Sequence, residues 1–152
     1  MLLTQILQPA CVKVPLESTD KDAAIAEMVD LLHAQGLFAD RDAVLDAVMA
    51  RERIRSTGIG SSLAIPHGKS NAVANLVMGI GIAREPIEFD SIDRKPVTIV
   101  ILLISPPDQT AMHIQALAKI SRLMLDRECK RALETASSAE EVYDLVSERD
   151  SQ

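Results

Sequence analysis

The chain has 152 residues, a length that suits one domain, and 47% of them are hydrophobic, enough for a sizeable core. A net charge of −6 argues against a phosphate-backbone binder, which carries a basic surface. Aromatic residues make up only 2%, so the stacking platforms of single-stranded nucleic-acid binding are lacking as well.

The acidic balance suits solubility and steering toward a basic protein partner. The two cysteines, Cys11 and Cys129, are far apart and form no CxxC; the expectation is two reduced thiols. The N-terminus has no basic n-region and meets Pro9 early, so it is a poor signal peptide. The longest apolar run, Val97 to Ile104, is broken only by Thr98 and is far too short to span a bilayer. These features predict a cytoplasmic protein with no membrane insertion.

In chain order, Cys11–Val14 alternates apolar and polar and predicts a short strand ended by Pro15. Ser18, Thr19 and Asp20 offer helix caps, and Ile25, Met28, Leu31 and Leu32 recur at helical spacing up to Gly36. Asp40 caps a second helix with an apolar stripe at Val44, Leu45, Val48 and Met49. Arg51, Arg53 and Arg55 lie near its C-terminal end, where cations complement the helix dipole. Ser56–Ser62 reads as a loop of small residues, followed by the short apolar stretch Leu63–Ile65. Leu76–Ala83 reads as a strand whose Gly79 and Gly81 imply close packing or a bulge. Pro86–Lys95 reads as a polar connection, and Val97–Ile104 as a buried strand.

Pro106, Pro107 and Asp108 close that strand and open a helix with apolar positions Met112, Leu117, Ile120, Leu123 and Met124. A short helix over Arg127–Glu134 follows, then one opened by a capping box of Ser138 and Glu141. The tail from Glu148 is expected to fray. The order β-α-α-β-β-β-α-α-α predicts an α+β domain with one mixed sheet covered by helices.

Chemistry near neutral pH points to the histidines, of which there are three. His33 sits inside a periodic helix and reads as a surface or half-buried residue. His67, between Pro66 and Gly68, follows a short strand and a loop able to form an anion-binding nest. It reads equally as a nucleophile toward a phosphoryl group or as a loop histidine satisfied by a carbonyl. His113 lies early in a predicted helix, where the dipole disfavours imidazolium. It reads as a satisfied side chain or as a neutral donor to phosphate. The Arg51 guanidinium matches phosphate oxygens or compensates the dipole. No Walker A motif and no GxSxG elbow are present. Gly58-Ile59-Gly60 lacks the third glycine of a dinucleotide fingerprint, and the histidines do not fall at metal-ligand spacing. Neither a metal nor a cofactor is expected.

The stretch Glu52–Gly68, ERIRSTGIGSSLAIPHG, resembles the active-site signature of enzyme IIA domains of the fructose–mannitol class, which includes the nitrogen-regulatory IIA proteins. Glu52, Ile59, Gly60, Leu63, Ala64, Ile65, Pro66, His67 and Gly68 fill its positions. Glu85–Asp90, Asp93, Pro96-Val97, Pro106–Gln109 and His113 extend the likeness over essentially the whole chain. The resemblance implies a single enzyme IIA type-2 domain over residues 1–152, with a three-layer α/β/α fold. It implies His67 as the phosphorylated residue, Arg51 beside the phosphate and His113 facing the site. Thr57, Ser61 and Ser62 are weaker candidates as phosphate-side donors. The implied donor is a phosphorylated histidine carrier protein of the phosphoenolpyruvate-dependent phosphotransferase system. The implied recipient is a IIB domain, in a sugar-transport role, or a protein regulated by the phosphorylation state. With no attached IIB or membrane domain in the sequence, the regulatory role is the expectation.

Overall fold

The computed structural model describes residues 1–150. A 3₁₀ turn at Leu3–Gln5 leads into β1 (Leu7–Lys13), followed by α1 (Lys21–Ala34) and α2 (Arg41–Ile54). Three short strands come next: β2 (Gly58–Gly60), β3 (Leu63–Ala64) and β4 (His67–Lys69). The long strands β5 (Val77–Ile87) and β6 (Val97–Ser105) precede α3 (Thr110–Leu125), α4 (Arg127–Glu134) and α5 (Ala139–Asp150).

The helix starts follow from their caps. The Asp20 carboxylate accepts the Ala23 N–H at 2.9 Å, and that of Asp40 accepts the Ala43 N–H at 3.0 Å, each satisfying a donor that the first turn leaves open. Gly36 ends α1 with φ of 75°, a left-handed conformation that costs glycine little. At α5 only half of the expected capping box forms. Ser138 Oγ accepts the Glu141 N–H, but the Glu141 carboxylate turns to the N–H and hydroxyl of Ser137.

The sheet is mixed, in the order β1-β5-β6-β3-β2, with β4 pairing β6 beyond the end of β3. Strands β5 and β6 run antiparallel through its centre, while β1 lies parallel to β5, and β3 and β4 parallel to β6. Every residue from Val77 to Ala83 is buried, which requires cover on both faces. Gly79 and Gly81 face α1: a Cβ at Gly79 would lie 2.6 Å from Leu32 Cδ1, and one at Gly81 2.7 Å from Leu16 Cδ2. Helices α1 and α2 pack on each other, α1 against β5 and β6 and α2 against β4, and α3, α4 and α5 form a second helical group against β1, β5 and β6. Aliphatic side chains and Met28, Met78 and Met124 fill the core, with Phe38 and Phe89 the only buried phenylalanines.

Five expectations need correction. Five strands, not three, separate α2 from α3. Part of the presumed loop forms β2, which turns back on β3 through Ser61 and Ser62, both at positive φ. The first strand begins at Leu7, not Cys11, and admits Pro9 because β1 is an edge strand. The Pro86–Lys95 connection is not wholly polar, since β5 continues to Ile87, and both Ile87 and Phe89 are fully buried. Of the tail from Glu148, Ser151 and Gln152 lie outside the described residues, and the described residues stay helical, because α5 runs to Asp150. The buried Asp150 carboxylate there pairs with Lys119 at 2.9 Å and accepts the Thr4 N–H at 3.2 Å.

Candidate active site

Three elements meet at the end of the sheet where β4 and β6 finish. Helix α2 brings Arg51, β4 brings His67 and Lys69, and α3 brings Thr110, His113, Ile114 and Leu117. Together with Ala47 and Gly68 they line an open cleft of about 360 Å³. The register of β4 against β6 sets His67 opposite Leu103 and Lys69 opposite Ser105. Residues two apart on a strand share a face, so the imidazole and the ammonium group emerge on the same side. Gly68 between them faces α2, where a Cβ would approach Ala47 C and Val48 N to 3.2 Å. The absence of a side chain thus brings β4 close against the helix that carries Arg51.

The His67 ring is held by its own chain: Nδ1 lies 2.8 Å from the Ile65 carbonyl oxygen. A carbonyl only accepts, so Nδ1 carries the proton, and in the neutral ring Nε2 holds the free lone pair. Burial lowers the His67 pKa below the ordinary histidine value; the Ile65 bond opposes this, Arg51 adds to it and Glu52 opposes it. His113 Nδ1 lies 2.6 Å from the buried Ser105 hydroxyl. Burial, then the neighbouring His67 and Lys69, push His113 down to about 4. The two rings stand edge to face with centroids 5.3 Å apart. Burial thus favours the neutral form of both rings near pH 7, the form that a nucleophile or a hydrogen-bond donor would need.

The other named residues are placed as follows. Arg51 lines the cleft while its Nη1 donates to the Arg55 carbonyl at 2.8 Å. Thr57 is buried and outside the cleft lining. Its N–H donates to Glu52 Oε2 at 2.8 Å and its hydroxyl to Glu52 Oε1, so its donors are already engaged. Ser61 lies on a different groove, beside Met124, Arg127, Lys130 and Arg131. Ser62 sits at the β2–β3 turn, its carbonyl accepting the N–H groups of Thr98 and Ile99. The structure does not bring these three hydroxyls to the cleft, because β2 folds away where a phosphate-cradling loop was expected. His33 is exposed on α1, with its ring 5.8 Å from that of Phe38.

The sequence reading missed Lys69 and Ser105. Lys69 Nζ donates to Thr110 Oγ1 at 3.0 Å and has no carboxylate partner within ion-pair distance among the described residues. Its spacing of two from His67 was a usable signal once a strand at that position is recognised. Among the described residues, no three His, Cys, Asp or Glu side chains converge as metal ligands, and no helix is long and apolar enough to cross a membrane.

Comparison with known proteins identifies the family and the fold. Residues 5–149 match the family model described as phosphoenolpyruvate-dependent sugar phosphotransferase system, EIIA 2. The chain is 34% identical to a nitrogen regulatory protein of Klebsiella oxytoca over 147 residues, covering 96% of this chain and 90% of that protein. It is 31% identical to the fructose-specific EIIABC component of Bacillus subtilis over 150 residues, covering 99% of this chain but only 24% of that protein. Its fold superposes on the crystal structure of nitrogen regulatory protein IIA-Ntr from Neisseria meningitidis with a TM-score of 0.88, at 30% identity, covering 95% of this chain and 98% of that one. The chain belongs to the EIIA 2 family of the phosphoenolpyruvate-dependent sugar phosphotransferase system.

Proposed function

We propose that residues 1–152 act as one enzyme IIA domain that accepts a phosphoryl group on Nε2 of His67 from a phosphorylated histidine carrier protein. The observation that carries this reading is the 2.8 Å contact of Nδ1 with the Ile65 carbonyl. It leaves Nε2 as the basic nitrogen of a ring that burial keeps neutral.

In the proposed step the Nε2 lone pair forms a bond to phosphorus in line with the breaking N–P bond of the donor. That bond's electron pair returns to the donor imidazole. Positioning and charge stabilisation supply most of the catalysis in such transfers. Arg51 and Lys69 offset the charge on the phosphoryl oxygens. His113, with the Ser105 hydroxyl donating to its Nδ1, presents an Nε2–H to one oxygen. The His67 ring becomes positive as the new bond forms, and the Ile65 carbonyl stabilises its Nδ1–H. Donor and acceptor are both phosphohistidines, so the transfer runs in either direction.

Downstream we favour a regulatory role, in which phosphorylation adds about two negative charges to the cleft and changes what binds there. The likeness to nitrogen regulatory proteins in both sequence and structure supports it. The fructose-specific relative supports the second reading, transfer onward to a IIB domain. Offering the phosphorylated protein a fructose-class IIB domain separates them: rapid loss of phosphate from His67 to that domain selects the transport role, and retention selects regulation. Phosphorylation itself is tested by comparing wild type with His67→Ala, which loses all labelling on this reading; undiminished labelling of the variant rejects it.

A further inference from the structure

The buried carboxylate of Glu52 stands against its local rules. It lies in the last turn of α2, the end of a helix where negative charge is unfavourable, and it is only 4% exposed. A well-packed apolar residue commonly serves stability as well as a buried ion pair. Residues that break local rules in this way concentrate at functional sites.

The neighbours of Glu52 show what it does. Lys21 Nζ pairs with Oε2 at 2.9 Å, and the same ammonium sits 5.4 Å from the centroid of the Phe89 ring. Oε2 also accepts the Thr57 N–H at 2.8 Å, and Oε1 accepts the Thr57 hydroxyl. The Thr57 carbonyl accepts the Ile65 N–H at 3.1 Å, and the Ile65 carbonyl accepts from His67 Nδ1 at 2.8 Å. The carboxylate and the reactive ring are thus the two ends of one continuous hydrogen-bonded chain.

Resting on the phosphocarrier reading above, we infer that Glu52 is a positioning residue for His67: through Thr57 and Ile65 it fixes the ring's orientation and keeps its proton on Nδ1. Its negative charge also favours the positive ring that forms as phosphorus bonds to Nε2. The charged and titratable groups facing His67 are Arg51 and Glu52 from α2, Lys69 from β4 and His113 from α3. Glu52 is the only carboxylate among them. Being buried, it acts through the chain of bonds and its charge, with no contact to a docked donor.

Glu52→Gln keeps the shape and removes the charge; Thr57→Val keeps the charge and removes the hydroxyl link. Two readouts are used on each. The first is the nitrogen NMR spectrum of the His67 ring, which gives its titration and tautomer without any phosphoryl donor. The second is the rate of transfer from phosphorylated histidine carrier protein. In Glu52→Gln we expect the His67 ring to titrate at lower pH than in wild type, with a reduced Nδ1–H population. Transfer at saturating carrier should slow about tenfold with unchanged half-saturation, as expected when the orientation of a reacting group loosens. Thr57→Val should reduce the Nδ1–H population and slow transfer by a smaller factor.

A folded Glu52→Gln protein with wild-type His67 titration, tautomer and transfer rate overturns the proposal. If Glu52→Gln does not fold, Thr57→Val decides alone, and wild-type behaviour in it overturns the proposal. Failure of the wild type itself to take up phosphate rejects the phosphocarrier reading separately, because the ring spectra need no phosphate.

Discussion

Acidification from about pH 7.5 to about pH 5 should destabilise this fold well before its carboxylates titrate. The cause is His113, 5% exposed and bonded through Nδ1 to Ser105. Burial first, then His67 and Lys69, place its folded pKa at about 4, against roughly 6.5 in an unfolded chain. A group whose folded pKa is depressed contributes stability above its unfolded pKa and loses it as pH falls toward the folded value. Over that interval the loss from His113 alone reaches about 2 kcal/mol at most. His67, also lowered by burial, adds to it with the same sign. Glu27 is held at about 2, its bonds from Lys13, Glu17 and Ser18 outweighing burial, so its stabilising effect is lost mainly below about pH 4.5. Urea unfolding at several pH values measures the effect, and His113→Gln should flatten the profile by the His113 share. Equal wild-type stability at both ends of the interval would refute the description of a neutral, buried His113.

Arg51→Ala should slow phosphoryl transfer by about 10²-fold, the usual cost of removing a donor aimed at developing charge. The fold should persist, because the bond it loses in the protein is one to the Arg55 carbonyl; single-turnover kinetics with circular dichroism check both. Lys69→Met should slow transfer by about tenfold at low salt and less at high salt, as an exposed charge is screened. Gly79→Val should lower stability by about 1–3 kcal/mol through overpacking. The new Cβ would lie 2.6 Å from Leu32 Cδ1 and 3.2 Å from the Cys11 carbonyl, and denaturant titration measures the loss.

Local signals in the sequence served well where structure is local. Asp20 and Asp40 cap the helices they precede, and α4 spans Arg127–Glu134 as its pattern suggests. The site was legible in part because Pro66-His67-Gly68 carries a motif. What the motif hides is distance along the chain: Arg51, His67 and His113 converge only through the pairing of β4 with β6 and the packing of α2 and α3. Thr57, suggested as a phosphate-side donor, gives both of its donors to Glu52, five residues earlier. For Ser61 and Ser62 the obstacle was a hairpin only two residues wide at its turn, too short to show a strand periodicity. The order of the C-terminal turn of α5 depends on Lys119 and Thr4, partners remote in sequence from Asp150. No pattern within a single helix could reveal them.

The most direct test is to incubate the purified protein with phosphoenolpyruvate, enzyme I and the histidine carrier protein, and then to locate the phosphate by mass spectrometry and NMR. The account predicts one acid-labile phosphoryl group on Nε2 of His67, absent from His67→Ala. Phosphate on Nδ1, on another residue, or on the His67→Ala variant would contradict it.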